Sequence, residues 1–314
     1  MQKIDKLLIS LNKWIQKVQD DEDITKDLPD DLPGIDKIAS YIEDYEKKMS
    51  KLLRTQRKYY LNALKGFIKK DESEEPPVDD TITLELLLMH FTQNLFAADD
   101  FLSELEAATR EMLNLTMTDL TSMIMDSIDK DVAFNTFSQR TVDWIEDWSI
   151  DLGKLMQLNT HEAIEEVLRE GLENGESIQE VELKLKDLPQ FDRKRARRTA
   201  QTEILTANSA SQYEAYLQSP AVTGKKWRHS GARKNNPREN HVALDGTVVD
   251  VEDEFEIPGS LEHCMFPRDP RLTAKERVHC HCVLSPAVDE EIFMMSAEEK
   301  EAIREEVMRE LANS

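Results

Sequence analysis

A mainly α fold with a smaller α+β C-terminal domain, long N-terminal helices followed by a small module of short strands, is what this 314-residue sequence predicts. Three observations predict it. Apolar residues recur at three- and four-residue spacing through the first half of the chain, the signature of one helical face. Beyond Pro220 that period stops, and β-branched runs alternate with turn residues. A composition of 33% charged and 39% hydrophobic residues favours long, half-exposed helices over a single compact core.

Single cores usually stop growing near about 250–300 residues, so a chain of this length is expected to form more than one domain. The expected division is a helical region over 1–160, a small α+β module over 161–290 and a helical tail over 291–314. Ile4, Leu7, Leu8, Leu11, Trp14, Ile15 and Val18 form the first apolar stripe, which either packs on its own domain or docks on another subunit. Residues 20–34 are acidic and hold two prolines and a glycine, so they make a linker or an irregular loop. A second helix is expected from about Asp36 to Lys70, with Ile38, Ile42, Tyr45, Met49, Leu52, Tyr59 and Phe67 as its seam. Its length suggests a helical hairpin or a coiled-coil arm.

A second acidic break covers 71–80, and helices rich in Leu, Met and Thr follow to about Leu158. The Met cluster at 112, 117, 123 and 125 reads as adaptable core. His90, on an apolar face without a second His or Cys nearby, reads as a core residue too. Around Thr160 shorter elements are expected. Ser177 and Glu180 have capping-box spacing, Pro189 ends that helix, and Asp192 caps the next, which runs to about Leu217. The segments 222–231, 245–251 and 277–284 read as short strands, and Ser296 with Glu299 opens a final charged helix.

A net charge of −23 argues against a surface that wraps nucleic acid, because phosphate binding rests on Lys and Arg displacing counterions. Three cysteines, none before residue 264, are no disulfide framework and suit a reducing cytoplasm. The first twenty residues are periodic and broken by Lys and Asp, which argues against a signal peptide. The longest apolar run, near Leu84 to Phe91, is too short to span a bilayer.

The candidate chemistry lies between about Phe191 and Pro286. Arg193, Lys194, Arg195, Arg197 and Arg198 can bind phosphate or neutralise acidic groups. On a strand, Cys280 and Cys282 share one face, and two thiolates with His241 and Cys264 would make a closed structural zinc site. His263 is an alternative fourth ligand. The competing reading has the thiols as small buried hydrophobes. Asp245-Gly246 is most simply a tight turn, and the chain carries no P-loop, dinucleotide fingerprint or Ser-His-Asp order, so no catalytic residue is assigned.

Taken in order, Gln201-Thr202-Glu203, Lys226-Trp227, His241-x-x-Leu244-Asp245-Gly246 and Cys280-His281-Cys282 resemble the phage Mu F-like (SPP1 gp7-like) head morphogenesis family over roughly residues 165–288. The family pattern runs from an Arg-Thr-Glu-like helix through a Trp strand and a Cys or His before Leu-Asp-Gly to a closing Cys-x-Cys. Many members carry a Cys pair before Leu-Asp-Gly and His-Pro-Asn before the closing cysteines. This chain has Arg238 and His241 at the first place and Arg277-Val278-His279 at the second, which rules out a four-cysteine site.

The resemblance implies a role rather than a reaction: a minor capsid protein associated with the portal, inside the procapsid and virion head, after synthesis in the host cytoplasm. It implies the phage portal protein as partner, with scaffolding protein, major capsid protein or DNA as further partners and no membrane. Two other functions stay open on the residues. One is a metal-dependent nuclease or toxin-like effector using His241, Asp245 and the His/Cys strand at 279–282; the other is a DNA-binding ejection factor using the 193–198 cluster.

Overall fold

A computed structural model describes residues 24–71, 80–229 and 237–311. The first predicted helix, the start of the 20–34 stretch and most of the 71–80 break lie outside the described residues. Ten α-helices and five short strands make up the rest, a mainly α chain with a small antiparallel module toward the C-terminus, as the sequence predicts. Among the described residues no helix is long and apolar enough to cross a membrane.

Within 20–34 the described part is a packed irregular loop. It holds a 3₁₀ turn at Ile24–Asp27 and buries Ile24, Leu28 and Leu32. Gly34 closes it at φ +77°, where a Cβ would stand 2.6 Å from Leu120 Cδ2. Helix α1, Ile35–Asp71, follows. Its buried positions are Ile38, Ile42, Tyr45, Glu46, Met49, Leu53, Gln56, Tyr60 and Leu64, while Leu52 and Tyr59 are half-buried. The burial thus repeats at eleven residues (38 to 49 to 60), not at the seven that placed Leu52 and Tyr59 in a coiled-coil seam. A straight helix drifts by about 20° per seven residues, and eleven residues close three turns far better.

Helix α2, Asp80–His90, runs into a π-helical turn at Phe91–Leu95, and α3 spans Phe101–Ile128. Met112, Met117 and Met125 are buried and Met123 half-buried, the core role expected of them. His90 is a correction: it is only half-buried and bonds the Asn94 side chain at 3.3 Å on an exposed face. Helix α4, Gln139–Asn174, passes Thr160 without a break. The shorter elements start only after Gly175, whose φ of +64° supplies the left-handed stop. Helix α5, Ile178–Lys186, opens on the predicted capping box of Ser177 and Glu180. Helix α6, Arg193–Gln218, begins with Lys194 N–H donating to Asp192 Oδ1 at 3.1 Å.

By internal packing the chain divides into two units. The helical unit is Glu43–Met112 with Glu146–Ala200. Its core joins Tyr60, Leu64, Leu87, Phe91, Ile164, Leu168, Val181 and Phe191. Beside it Asp99 accepts hydrogen bonds from Gln56 and Tyr60, each at 2.7 Å, and lies 3.1 Å from His161 Nε2. Those partners, with a bond from Phe101 N–H, hold the Asp99 carboxyl below its ordinary range although burial opposes them.

The second unit comprises the described residues of Met1–Ile42, Leu113–Ile145 and Gln201–Ser314. Its sheet is antiparallel in the order β2-β1-β5, from β1 (Val222–Arg228), β2 (Val248–Asp250) and β5 (Val283–Val288), with Trp227 opposite Leu284 and Lys226 opposite Val248. Gly224 admits the edge strand: a Cβ there would meet Val249 O at 2.9 Å. A hairpin of β3 (Phe255–Glu256) and β4 (His263–Cys264) lies between, with short helices α7 (Glu239–Ala243) and α8 (Ala274–Arg277). Two further helices, α9 (Glu290–Phe293) and α10 (Ala297–Leu311), end the chain. The last is docked: Lys300 is buried 2.6 Å from Asp129, and Arg304 donates to Gln218 at 2.9 Å.

One strand assignment needs correcting. Residues 277–282 are not in a strand; α8 covers Ala274–Arg277, His279 turns the chain at φ +56°, and β5 begins only at Val283. The helical turn is capped by Cys280 N–H on Arg277 O at 3.2 Å, which the β-branched pattern of the sequence does not announce.

Candidate metal centre

The Leu244-Asp245-Gly246 turn is fastened to the Trp strand. Gly246, at φ +80°, donates its N–H to Trp227 O at 2.9 Å, and Trp227 N–H donates to Thr247 O at 2.9 Å. Asp245 Oδ1 accepts His229 N–H at 2.8 Å, so this carboxylate braces the turn, while Leu244 is buried under it. Helix α7 just before the turn therefore presents His241 inward, 2% exposed and edge-on to the Trp227 ring at 5.5 Å between centroids.

The Cys-x-Cys segment arrives from the other side, clamped by a residue far from it in sequence. Arg268, 1% exposed, donates from Nη1 to both Cys280 O and Cys282 O at 2.7 Å each, and from Nη2 to Ser209 Oγ at 2.5 Å. A single guanidinium fork thus fixes both ends of the segment. The two thiols then converge on one imidazole nitrogen: Cys280 Sγ is 3.5 Å and Cys282 Sγ 3.7 Å from His241 Nδ1. Donor atoms of His241, Cys280 and Cys282 all lie within 4.8 Å of one another.

The other imidazole nitrogen is engaged too. His241 Nε2 lies 2.9 Å from Glu276 Oε2, and that oxygen also accepts from Asn240 Nδ2 at 3.1 Å. When a metal is held there, a proton on Nε2 donated to the carboxylate would leave the Nδ1 lone pair to the ion. This is the carboxylate–histidine arrangement that metal-ligating histidines use. The thiols are poised unequally. The hydrogen bond from Cys282 holds the Cys280 thiol well below its ordinary range against the cost of burial, and His241 and Arg268 act in the same direction. Cys282, as donor in that bond and buried itself, is pushed up. Two sulphurs and an imidazole are soft and borderline donors, the set zinc takes in structural sites.

Cys264 does not join this group. It is fully buried on β4 opposite Phe255, and burial pushes its thiol well above the ordinary range, with Asp269 and Cys280 adding to the effect. His263 is exposed. The first motif does reach the site indirectly: Glu203 on α6 lies 3.4 Å from Arg277 Nη2, and Arg277 Nε donates to Arg268 O at 3.2 Å. Thr202, half-buried beside it, accepts on its carbonyl from Thr206 Oγ1 at 2.8 Å. The four sequence pieces therefore meet around one buried cluster. Glu276 and Arg268, which complete it, gave no signal in the sequence beyond a charged type near a Cys-x-Cys and a Pro-Arg-Asp-Pro turn.

The basic cluster at the start of α6 belongs to the helical unit. Arg193 Nε and Arg197 Nη1 donate to the two oxygens of buried Glu46 at 2.8 and 2.9 Å. Arg195 donates to Thr160 Oγ1 and Gln190 O, each at 2.9 Å, and to Met156 O at 3.0 Å, and burial lowers its pKa to about 10. Lys194 and Arg198 lie on the same two turns.

Comparison with known proteins fits this motif geometry. A family profile described as phage Mu protein F like protein matches residues 162–285. Over 310 residues the chain is 55% identical to the uncharacterized protein YqbB of Bacillus subtilis (strain 168), covering 98% of this chain and 99% of that protein. The chain belongs to the phage Mu F-like head morphogenesis family. The span matched by the Mu F-like profile takes in every piece of the cluster from Glu203 to Cys282. A shorter likeness, 30% identity over 124 residues, joins it to the NAD(+)–arginine ADP-ribosyltransferase EFV of Enterococcus faecalis (strain ATCC 700802 / V583); it covers 38% of this chain and 24% of that protein. No solved structure matches the chain.

Proposed function

We propose that this phage head morphogenesis protein is a minor capsid protein of the portal vertex. Its Mu F-like module is a structural part held together by zinc on His241, Cys280 and Cys282, not a catalyst. The observation that carries this reading is the burial of all three donors, each 2% exposed. Burial bars a substrate from a metal held there, and a fourth donor, a water or a further side chain, would complete the four-coordination of a structural zinc. When bound, zinc supplies a cross-link between α7 and the Cys-x-Cys loop. Glu276 orients the imidazole, and Arg268 fixes the loop so that both sulphurs are presented together.

The nuclease reading needs His241 and Asp245 to share a substrate-facing site. Asp245 bonds the turn backbone instead, and His241 faces the interior, which weighs against it. The activity named for EFV belongs to a protein of which the match spans a quarter, so it is not carried over. For a DNA-binding ejection factor the cluster at 193–198 would have to be available, whereas Glu46 already engages Arg193 and Arg197.

As head components act in assembly, the partners that follow are the portal protein first, then scaffolding or major capsid protein, within the host cytoplasm during assembly and the head interior afterwards. The test is co-migration of the full-length protein with purified portal oligomers and with procapsids. Binding to portal, weakened by deletion of residues 1–70, is the expected result; a protein that ignores portal and procapsid alike overturns the reading.

A further inference from the structure

The helical unit carries a cleft of about 560 Å³ between α1 and the turn that joins α5 to α6, with Glu46 and Arg193 among its lining residues. One wall is the middle of α1, with Arg54 and Arg57; the other is the turn after α5, with Lys186, Asp187, Leu188 and Asp192. The cations in it are of two kinds. Arg193 is neutralised by Glu46 and Lys47 by Glu43 and Asp44, whereas Arg57 and Lys186 have no hydrogen-bond or ion-pair partner among the described residues. Arg54 uses only Nε, in a bond to Ser50 O at 3.0 Å. Arg57 is the telling residue, because it is half-buried, and a guanidinium partly removed from water without a partner forfeits hydration that a bound anion restores.

The form of the cleft selects the kind of anion. A nucleic acid presents phosphate after phosphate along a track and offers few donors to Asp187 and Asp192 in the same wall, which repel such a track. A peptide is different: its carboxylates meet Arg54, Arg57 and Lys186, its backbone N–H groups can donate to Asp187 and Asp192, and an apolar side chain can rest on Leu188. We infer that this cleft takes an acidic peptide segment of a partner protein. The inference stands apart from the metal centre and from the portal reading, since it rests on residues of the helical unit alone.

Fluorescence anisotropy of the full-length protein at low salt tests it, with two probes: fluorescein-labelled hexaglutamate and a fluorescein-labelled oligothymidylate of equal charge. The peptide is expected to bind, to weaken with added salt, and to bind more tightly than the oligonucleotide. The double variant Arg57→Gln/Lys186→Gln should weaken peptide binding roughly tenfold, as loss of two exposed-to-half-buried ion pairs implies, with Lys130→Gln as an unaffected control. Should the double variant fail to fold, Lys186→Ala at an exposed position is read instead, with a loss of roughly threefold expected. No binding of the peptide, or binding equal in the variants, overturns the inference. Tighter binding of oligothymidylate that the same variants abolish also overturns it and assigns the cleft to nucleic acid.

Discussion

Lys225, in the middle of β1, offers the sharpest thermodynamic test of how this module is built. It is 0% exposed, its Nζ has no hydrogen-bond partner among the described residues, and it lies 4.5 Å from the Tyr213 ring centroid and 5.6 Å from that of Phe255. Burial pushes its pKa from 10.5 down to about 7. In the unfolded chain the amine is charged up to pH 10.5, while in the fold it sheds its proton above pH 7. Unfolding therefore takes up a proton between those values, and stability rises with pH across that window. A fall from 10.5 to about 7, at about 1.36 kcal/mol per pH unit, puts the cost of burying the charged amine at about 5 kcal/mol at low pH and about 4 kcal/mol at pH 7. Lys225→Met keeps the volume and removes the charge. Urea unfolding followed by circular dichroism should show the variant more stable by about 4 kcal/mol at pH 7, the gain shrinking toward zero as pH rises to 10.5. A variant that is less stable than the parent at pH 7, or whose difference does not change with pH, refutes the reasoning and means that the ammonium is solvated in place.

Other predictions follow from the same geometry. Glu276→Gln keeps the shape beside His241 Nε2 but removes the charge, and should weaken metal binding about 10–100-fold in competition with a chromophoric chelator. Gly224→Ala places a methyl 2.9 Å from Val249 O and should cost about 1–3 kcal/mol in urea unfolding, by forcing β2 off the sheet edge. Arg197→Ala leaves buried Glu46 with Arg193 alone, and a loss of about 1–3 kcal/mol is expected. Ser177→Ala removes a cap whose partners are all local, and should cost about 1 kcal/mol.

What could be read from the sequence was what is encoded locally. The caps at Ser177 and Ser296, the end of α6 at Gln218 and the turn at Gly246 depend on residues within a few positions of one another, and all are found. The choice between Leu52 and Leu53, or Tyr59 and Tyr60, depends on how straight α1 runs, which its neighbours decide, so the seam was read one residue off. His90 is half-buried, not core, because an apolar neighbourhood in sequence does not fix which side of a helix faces the core.

At the site, residue type nominated His241, Cys280 and Cys282, which the fold brings together. Type alone also nominated Cys264, whose surroundings are instead Phe255 and the Lys225 strand. Arg268 and Glu276 went unnoticed because their work is done across sequence gaps, from Arg268 to Ser209 and to the Cys-x-Cys carbonyls, and from Glu276 to His241. No periodicity carries such pairings; they are set by where α6, α7 and α8 meet.

The most direct measurement on the central claim is elemental analysis of the full-length protein purified without added metal, beside His241→Ala and Cys280→Ser. Stoichiometric zinc in the parent, lost in both variants together with resistance to thermal unfolding, is the predicted result. A folded parent free of zinc, with variants of equal stability, contradicts it.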